Sequence, residues 1–150
     1  MRNRLRTPVV TDWEKFTPVF NSATSVATSG AAWRRVGDTI HIRGFATFNG
    51  AGDASAWSLD LPKGLRIDEV KLPSGTSGIN DGGQGFGLFT WSDSGTNYRT
   101  GSINYVNSLG VGSTLDSSTS LFETTLIANA DAITFDFTLP IANWRATRTI

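Results

Sequence analysis

Apolar and polar residues alternate with a period of two in several separate parts of the chain. Ile133, Phe135, Phe137 and Leu139 alternate with Thr134, Asp136 and Thr138. Trp57, Leu59 and Leu61 alternate with Ser58 and Asp60, and Pro62 closes that run. Ile40 and Ile42 face one way, and Thr39, His41 and Arg43 face the other. Successive side chains of a β-strand point to opposite faces, so each run predicts a strand with one buried face. The same reading predicts strands at 16–20, with Pro18 limiting its pairing, and at 33–36, 39–48, 86–91, 98–106 and 120–127. Helical spacing of apolar positions at three and four residues is almost absent, and Gly and Pro interrupt the candidates. Gly37-Asp38 reads as the turn of a hairpin between two of these strands. Residues 65–72 predict a turn-rich connection that dips into the core through Leu65, Ile67, Val70 and Leu72. The Gly-, Ser-, Asn- and Asp-rich stretch that follows predicts a surface loop. About nine strands with no repeat and no linker predict one all-β sandwich or jelly roll.

Composition narrows the function classes. The chain has 150 residues, enough for one domain with a real core. Charged residues are 17%, below the ~25% of an average soluble domain. Thirteen Lys and Arg balance thirteen Asp and Glu, so no global field draws the chain to nucleic acid or anionic lipid. No stretch has the length and apolarity of a membrane span, and the basic opening MRNRLRTPVV lacks the apolar run of a signal peptide. Without cysteine there is no disulfide framework and no thiolate metal site.

Candidate chemistry is sparse. His41 is the single histidine, and no second His or Cys accompanies it as a zinc ligand. It reads as a structural or surface histidine on a polar or inter-subunit strand face. Arg34 and Arg35 are strand neighbours, so they face opposite sides and cannot form one phosphate patch. The expectation is one arginine to solvent and one packed on an aromatic ring or a carboxylate. GGQGFG at 82–87 lacks the Lys-Ser/Thr of a phosphate-binding loop and opens a strand rather than a helix. Asp60, Asp68, Glu69, Asp81, Asp93 and Asp116 could supply a carboxylate pair for glycoside chemistry, but nothing selects a pair. INDGG and SDSGTN are loose calcium candidates only. Neither a catalytic residue, a metal site nor a cofactor is expected.

Five tryptophans stand out. Trp33, Trp57 and Trp91 lie in predicted strands and read as core or interface, while Trp13 and Trp144 near the two ends suit a clamp. TWSDSGTNYR places Trp91, Asp93, Asn97, Tyr98 and Arg99 around a polar turn. An aromatic face stacks on a sugar ring, and amide, carboxylate and guanidinium groups bond its hydroxyls. These five residues, with Asn80 and Asp81 of the long loop, are the candidate ligand-binding set. The competing reading of the hairpin is an aromatic cross-strand pair of no functional consequence.

Four stretches in order, DWEKFTPVF, WRRVGDTIHIRGFATF, LDLPKGLRIDEVKL and LPIANW, resemble the tip domains of phage tail fibres and head fibres. They are equally similar to the phage-derived fibre adhesins of predatory bacteria. The resemblance spans residues 13–144, with Asn143 standing where a glycine is common before the last tryptophan. It implies a jelly roll like the heads of tumour necrosis factor and complement C1q, assembled with two identical chains as a homotrimer. Residues 1–12 would be a junction to a fibre shaft and 13–150 the tip domain. It implies an extracellular location on a virion or a bacterial cell surface. The function implied is adhesion to a surface glycan or protein of a target bacterium, without nucleic acid, membrane insertion or cofactor. A structural head-fibre or capsid-decoration role is the alternative within that fold, and a tailspike-like polysaccharide-degrading enzyme is the alternative from another class.

Overall fold

The computed structural model describes residues 6–21, 25–50, 58–72, 85–94, 97–115 and 128–149. These residues are nearly all strand, joined by turns and two short 3-10 turns at Pro62–Gly64 and Glu69–Lys71. The strands in chain order are β1 (Arg6–Pro8), β2 (Glu14–Phe16), β3 (Phe20–Asn21), β4 (Val26–Val36), β5 (Thr39–Phe48) and β6 (Ser58–Asp60). β7 (Gly85–Asp93), β8 (Asn97–Asn107), β9 (Gly110–Leu115), β10 (Ala132–Pro140) and β11 (Thr147–Thr149) complete the set.

All pairings are antiparallel. Nine strands form one sheet in the order β2-β4-β5-β10-β7-β8-β9-β6-β3, and β1 pairs with β11 separately. The two edge strands of the large sheet are separated in sequence only by Thr17, Pro18 and Val19. Four extended residues reach about 14 Å at most, so the sheet must curl until its edges approach each other. Two contacts across the seam agree with this. Lys63 Nζ, just past β6, lies 2.5 Å from Glu14 Oε1 of β2 and 5.3 Å from the Trp33 ring centroid of β4. The expected single strand over residues 16–20 is thereby corrected: Pro18, without an N–H to donate, marks the crossing from one edge to the other.

The core is the inner face of this curl. Ile40, Ile42, Ala46 and Phe48 alternate inward along β5, and Ile133, Phe135, Phe137 and Leu139 along β10. Cross-strand register places Ile42 opposite Phe137 and Gly44 opposite Phe135. The hairpin predicted at Gly37-Asp38 is present, with Gly37 at φ 65°, a left-handed conformation that glycine adopts without a Cβ clash. Asn143 occupies the same region at φ 67°, as its place in LPIANW implied.

Two strands depart from the sequence reading. β4 begins at Val26 rather than near Trp33. Its first half, VATSGAA, carries small residues because the sheet is tight there: a Cβ on Gly30 would stand 3.1 Å from the Phe45 ring. β9, with the sequence GVGSTL, also lacked an apolar signature. Residues 6–11, read as a junction, are tied into the body by the β1–β11 pairing and by the Thr11 N–H donating to the Arg35 carbonyl at 3.1 Å. The strand expected at 120–127 lies outside the described residues.

Candidate functional site

The strands give the molecule two ends. At one, which we call the base, the Gly37-Asp38 turn, residues 62–72 and residues 140–144 are bonded to one another. Ile141 N–H donates to the Asp38 carbonyl, Asp68 N–H to the Pro140 carbonyl and Ala142 N–H to the Arg66 carbonyl, each at 2.9 Å. Lys71 Nζ bridges Asp38 Oδ2 at 2.8 Å and Asp68 Oδ2 at 3.2 Å. That ammonium holds the Asp38 carboxyl below its usual range, and the two carboxylates raise the Lys71 pKa in turn. Tyr105 Oη donates to Glu69 Oε1 at 2.5 Å, and burial together with that carboxylate pushes the phenol up to about 12. Three of the four ordered sequence stretches therefore meet here and hold one another in place.

The other end, the tip, lies at the far end of β10. Nine residues of strand separate the two ends by roughly 27 Å. The tip is built on Asp131, which is fully buried. Its Oδ1 accepts from the Ser94 N–H at 2.9 Å and the Ser94 hydroxyl at 3.2 Å. Its Oδ2 accepts from the Ala128 N–H at 2.8 Å and the Trp91 indole N–H at 3.1 Å. One carboxylate thus fixes the end of β7 and the turn leading into β10. A buried carboxylate is tolerable only when its lone pairs are filled in this way. Sequence reading passed over Asp131, although an aspartate beside a turn, two residues before an alternating strand, is the pattern of a side chain that binds neighbouring backbone.

The candidate set is placed as follows. Trp91 is 6% exposed and belongs to the core, so its ring faces are not open to a ligand. Register sets Trp91 opposite Arg99, Ser92 opposite Tyr98 and Asp93 opposite Asn97. Asp93, Asn97 and Arg99 therefore share the phase of Trp91, and Arg99 stacks its guanidinium 5.7 Å from the Trp91 ring. Tyr98 is on the opposite face and is 71% exposed. The hairpin end brings Asp93, Asn97 and Arg99 together but sends Tyr98 to the outer surface. Asn80 and Asp81 lie outside the described residues. The residues that flank their loop, Leu72 and Gly85, sit at the base rather than the tip.

Other candidates resolve into architecture. Arg34 and Arg35 do face opposite sides, but both stack on tryptophans, Arg34 on Trp13 at 4.8 Å and Arg35 on Trp144 at 4.6 Å. The expectation of one arginine free in solvent is corrected. Trp144 also packs on Trp33 at 6.2 Å, the clamp its position suggested. His41 Nε2–H donates to Asp136 Oδ1 at 2.7 Å on the outer face of the sheet. Among the carboxylates, Asp60 accepts from Asn21 Nδ2 at 2.8 Å, and Asp68 and Glu69 are engaged at the base as described. Asp81 and Asp116 lie outside the described residues, as does all of INDGG. Among the described residues no group of three His, Asp or Glu is placed to hold a metal ion. No helix there is long and apolar enough to cross a membrane.

No protein-family model, curated protein or solved structure matches the chain.

Proposed function

We propose that the chain is the tip of a homotrimeric, jelly-roll fibre and binds a surface glycan or protein of a target bacterium through its tip end. The observation that carries this reading is the Asp131-anchored hairpin. It presents Asp93, Asn97 and Arg99 beside one another at the paired ends of β7 and β8, with Ser94 held by Asp131, and a ligand then finds its donors and acceptors already oriented. The four ordered sequence stretches support the fibre assignment. Exposed aliphatic side chains support self-association: Val70 is 95% exposed, and Val19 and Leu109 flank β6 nearby. Three weak tips on one fibre gain avidity that a single tip lacks.

Two measurements test this. Sedimentation or light-scattering mass is expected to give three chains, and a monomer at micromolar concentration would remove the trimer. Binding to whole bacteria and to a glycan array is expected to fall about tenfold or more for Arg99→Ala together with Asn97→Ala. Unchanged binding would remove the hairpin. Absence of any bacterial or glycan binding would favour a decoration role, and release of reducing ends from an envelope polysaccharide would favour an enzyme.

A further inference from the structure

The outer face of the sheet carries a second cluster, away from the tip hairpin. The two-residue turn at Gly37-Asp38 sets Arg34 opposite His41 and Ala32 opposite Arg43. β2 adds Lys15 opposite Ala32, so Lys15, Ala32, Arg43 and Asp136 form one row across four strands. Trp13 lies over this corner. Its ring centroid is 4.0 Å from Arg43 Cζ, 4.8 Å from Arg34 Cζ and 5.0 Å from the His41 ring. Beside it runs a groove of about 960 Å³, lined by Lys15, Arg43, Phe45, Thr90, Thr134 and Asp136 among others.

The charge here is unbalanced. No side-chain hydrogen bond or ion pair joins Arg34, Arg43 or Lys15 to another described residue, and Arg34 Nε is buried without a partner. Asp136 is the acid in the row, and His41 already takes its Oδ1. Asp12, adjacent to Trp13 in sequence, forms no ion pair with them. On a chain of zero net charge, two cations in the groove wall, Lys15 and Arg43, beside the one carboxylate of Asp136 and with Arg34 close by on Trp13, are a local excess. Stacking on Trp13 fixes the plane of the Arg43 guanidinium, so its paired N–H groups point as a preformed fork. The groove floor is Ala32 and Gly30, and Phe45 stands in its wall at 45% exposure. Thr90 and Thr134 add hydroxyls.

A bidentate cation, a second point charge, an exposed aromatic edge and neutral hydroxyls suit one ligand chemistry. We infer that this groove binds an acidic oligosaccharide, whose carboxylate, sulfate or phosphate group pairs with Arg43 and Lys15 while a sugar ring packs on Phe45. The anionic group supplies the charge the groove lacks, and the sugar supplies hydroxyls for the threonines and Asp136. The inference rests on the glycan-binding part of the function proposed above and not on the hairpin.

The test is titration calorimetry on the intact chain with three defined probes: a sulfated heparin-derived hexasaccharide, an oligogalacturonate and neutral maltohexaose. At least one acidic probe is expected to bind, more weakly as salt rises, and the neutral probe not to bind. The responding probe shows whether sulfate or carboxylate is preferred. Arg43→Gln and Lys15→Gln are each expected to weaken binding about tenfold or more, and Arg43→Lys nearly as much as Arg43→Gln. Arg148→Ala, on β11, controls for indiscriminate attraction to surface charge and is expected to change nothing. Unchanged circular dichroism verifies folding of each variant. Equal binding of acidic and neutral probes overturns the inference, as does retention of binding by the Arg43→Gln, Lys15→Gln double variant. Self-association that Arg43→Gln abolishes would also overturn it, because a second copy would then cover this face. The hairpin variants separate the two proposals. If Arg99→Ala with Asn97→Ala leaves bacterial binding intact while Arg43→Gln abolishes it, the hairpin fails and the groove stands, and the reverse result sinks the groove.

Discussion

Asp131 bears more of the tip than any other single side chain, and its removal gives the sharpest test of the structure. Replacing it with alanine takes one acceptor group from the Ser94 and Ala128 N–H groups and from the Trp91 indole. A buried donor left without its acceptor costs about 1–3 kcal/mol. The Ser94 side is only part-buried and water reaches it, so three donors together give roughly 3–6 kcal/mol. Against a typical total of ~5–15 kcal/mol this is a large fraction. Asp131→Asn keeps one oxygen and turns an N–H₂ toward donors on the other side, which loses roughly half as much. The assay is urea unfolding followed by tryptophan fluorescence. With a slope of ~2 kcal/mol per molar, the alanine variant is expected to lower the midpoint by about 2 M, with the slope unchanged. Amide hydrogen exchange should accelerate at Ser94 and Ala128. A midpoint shift worth less than ~1 kcal/mol would refute the magnitude. Slow exchange persisting at both amides would refute the bonding itself.

Two further outcomes follow from the packing and from the base. Gly87→Ala would set a Cβ 2.2 Å from the Asp136 carbonyl oxygen and 2.6 Å from Phe137 Cα, both backbone; thermal unfolding is expected to show a loss of ~1–3 kcal/mol or more, and a neutral result would mean that β7 and β10 lie further apart than described. Tyr105 has its folded pKa raised from 10.0 to about 12, so the stability it contributes is whole below 10 and is lost as pH rises through 12. Tyr105→Phe should flatten that alkaline limb of the unfolding midpoint, and an unchanged limb would assign it to other groups.

How much of this was legible depended on what each residue had to satisfy. β10 was plain because its inner face is all Ile, Phe and Leu and its outer face Ala, Thr and Asp. The first half of β4 was hidden because close sheet packing demanded small residues, and Ala, Ser, Thr and Gly also compose loops. The split at Thr17-Pro18-Val19 was hidden because pairing partners, not composition, decide which edge a strand joins. Four of the five residues expected around the hairpin turn share one strand phase. Period two alone separates Tyr98 from them, but an aromatic side chain beside a polar turn invites grouping by sequence rather than by face. The corner of Trp13, Arg34 and Arg43 was within reach. Once Gly37-Asp38 is taken as a two-residue turn, the register brings Arg34 and Arg43 to one face nine residues apart, although Trp13 arrives from the segment just before β2.

The two ends of the molecule are held by different kinds of constraint, and that bears on where function can reside. The base needs particular residues at particular positions: Gly37 and Asn143 at positive φ, Asp38 and Asp68 sharing Lys71, and three backbone bonds that lock three segments together. Such demands leave ordered motifs in a sequence, and three of the four ordered stretches of the sequence lie mostly there. The tip needs one carboxylate at position 131 and the backbone it binds. Asp93, Asn97 and Arg99 extend past that anchor, so their identities can change without disturbing the β7–β10 register. The same holds on the outer face, where Lys15 and Arg43 flank Ala32 and Arg43 stacks on Trp13. Side chains separated from the scaffold in this way can change while the fold is kept. The stability of Arg43→Gln and of the Arg99→Ala, Asn97→Ala pair should therefore stay within about 1 kcal/mol of the parent chain, the worth of the exposed cation–π contact each loses, while Asp131→Ala falls by several times that amount.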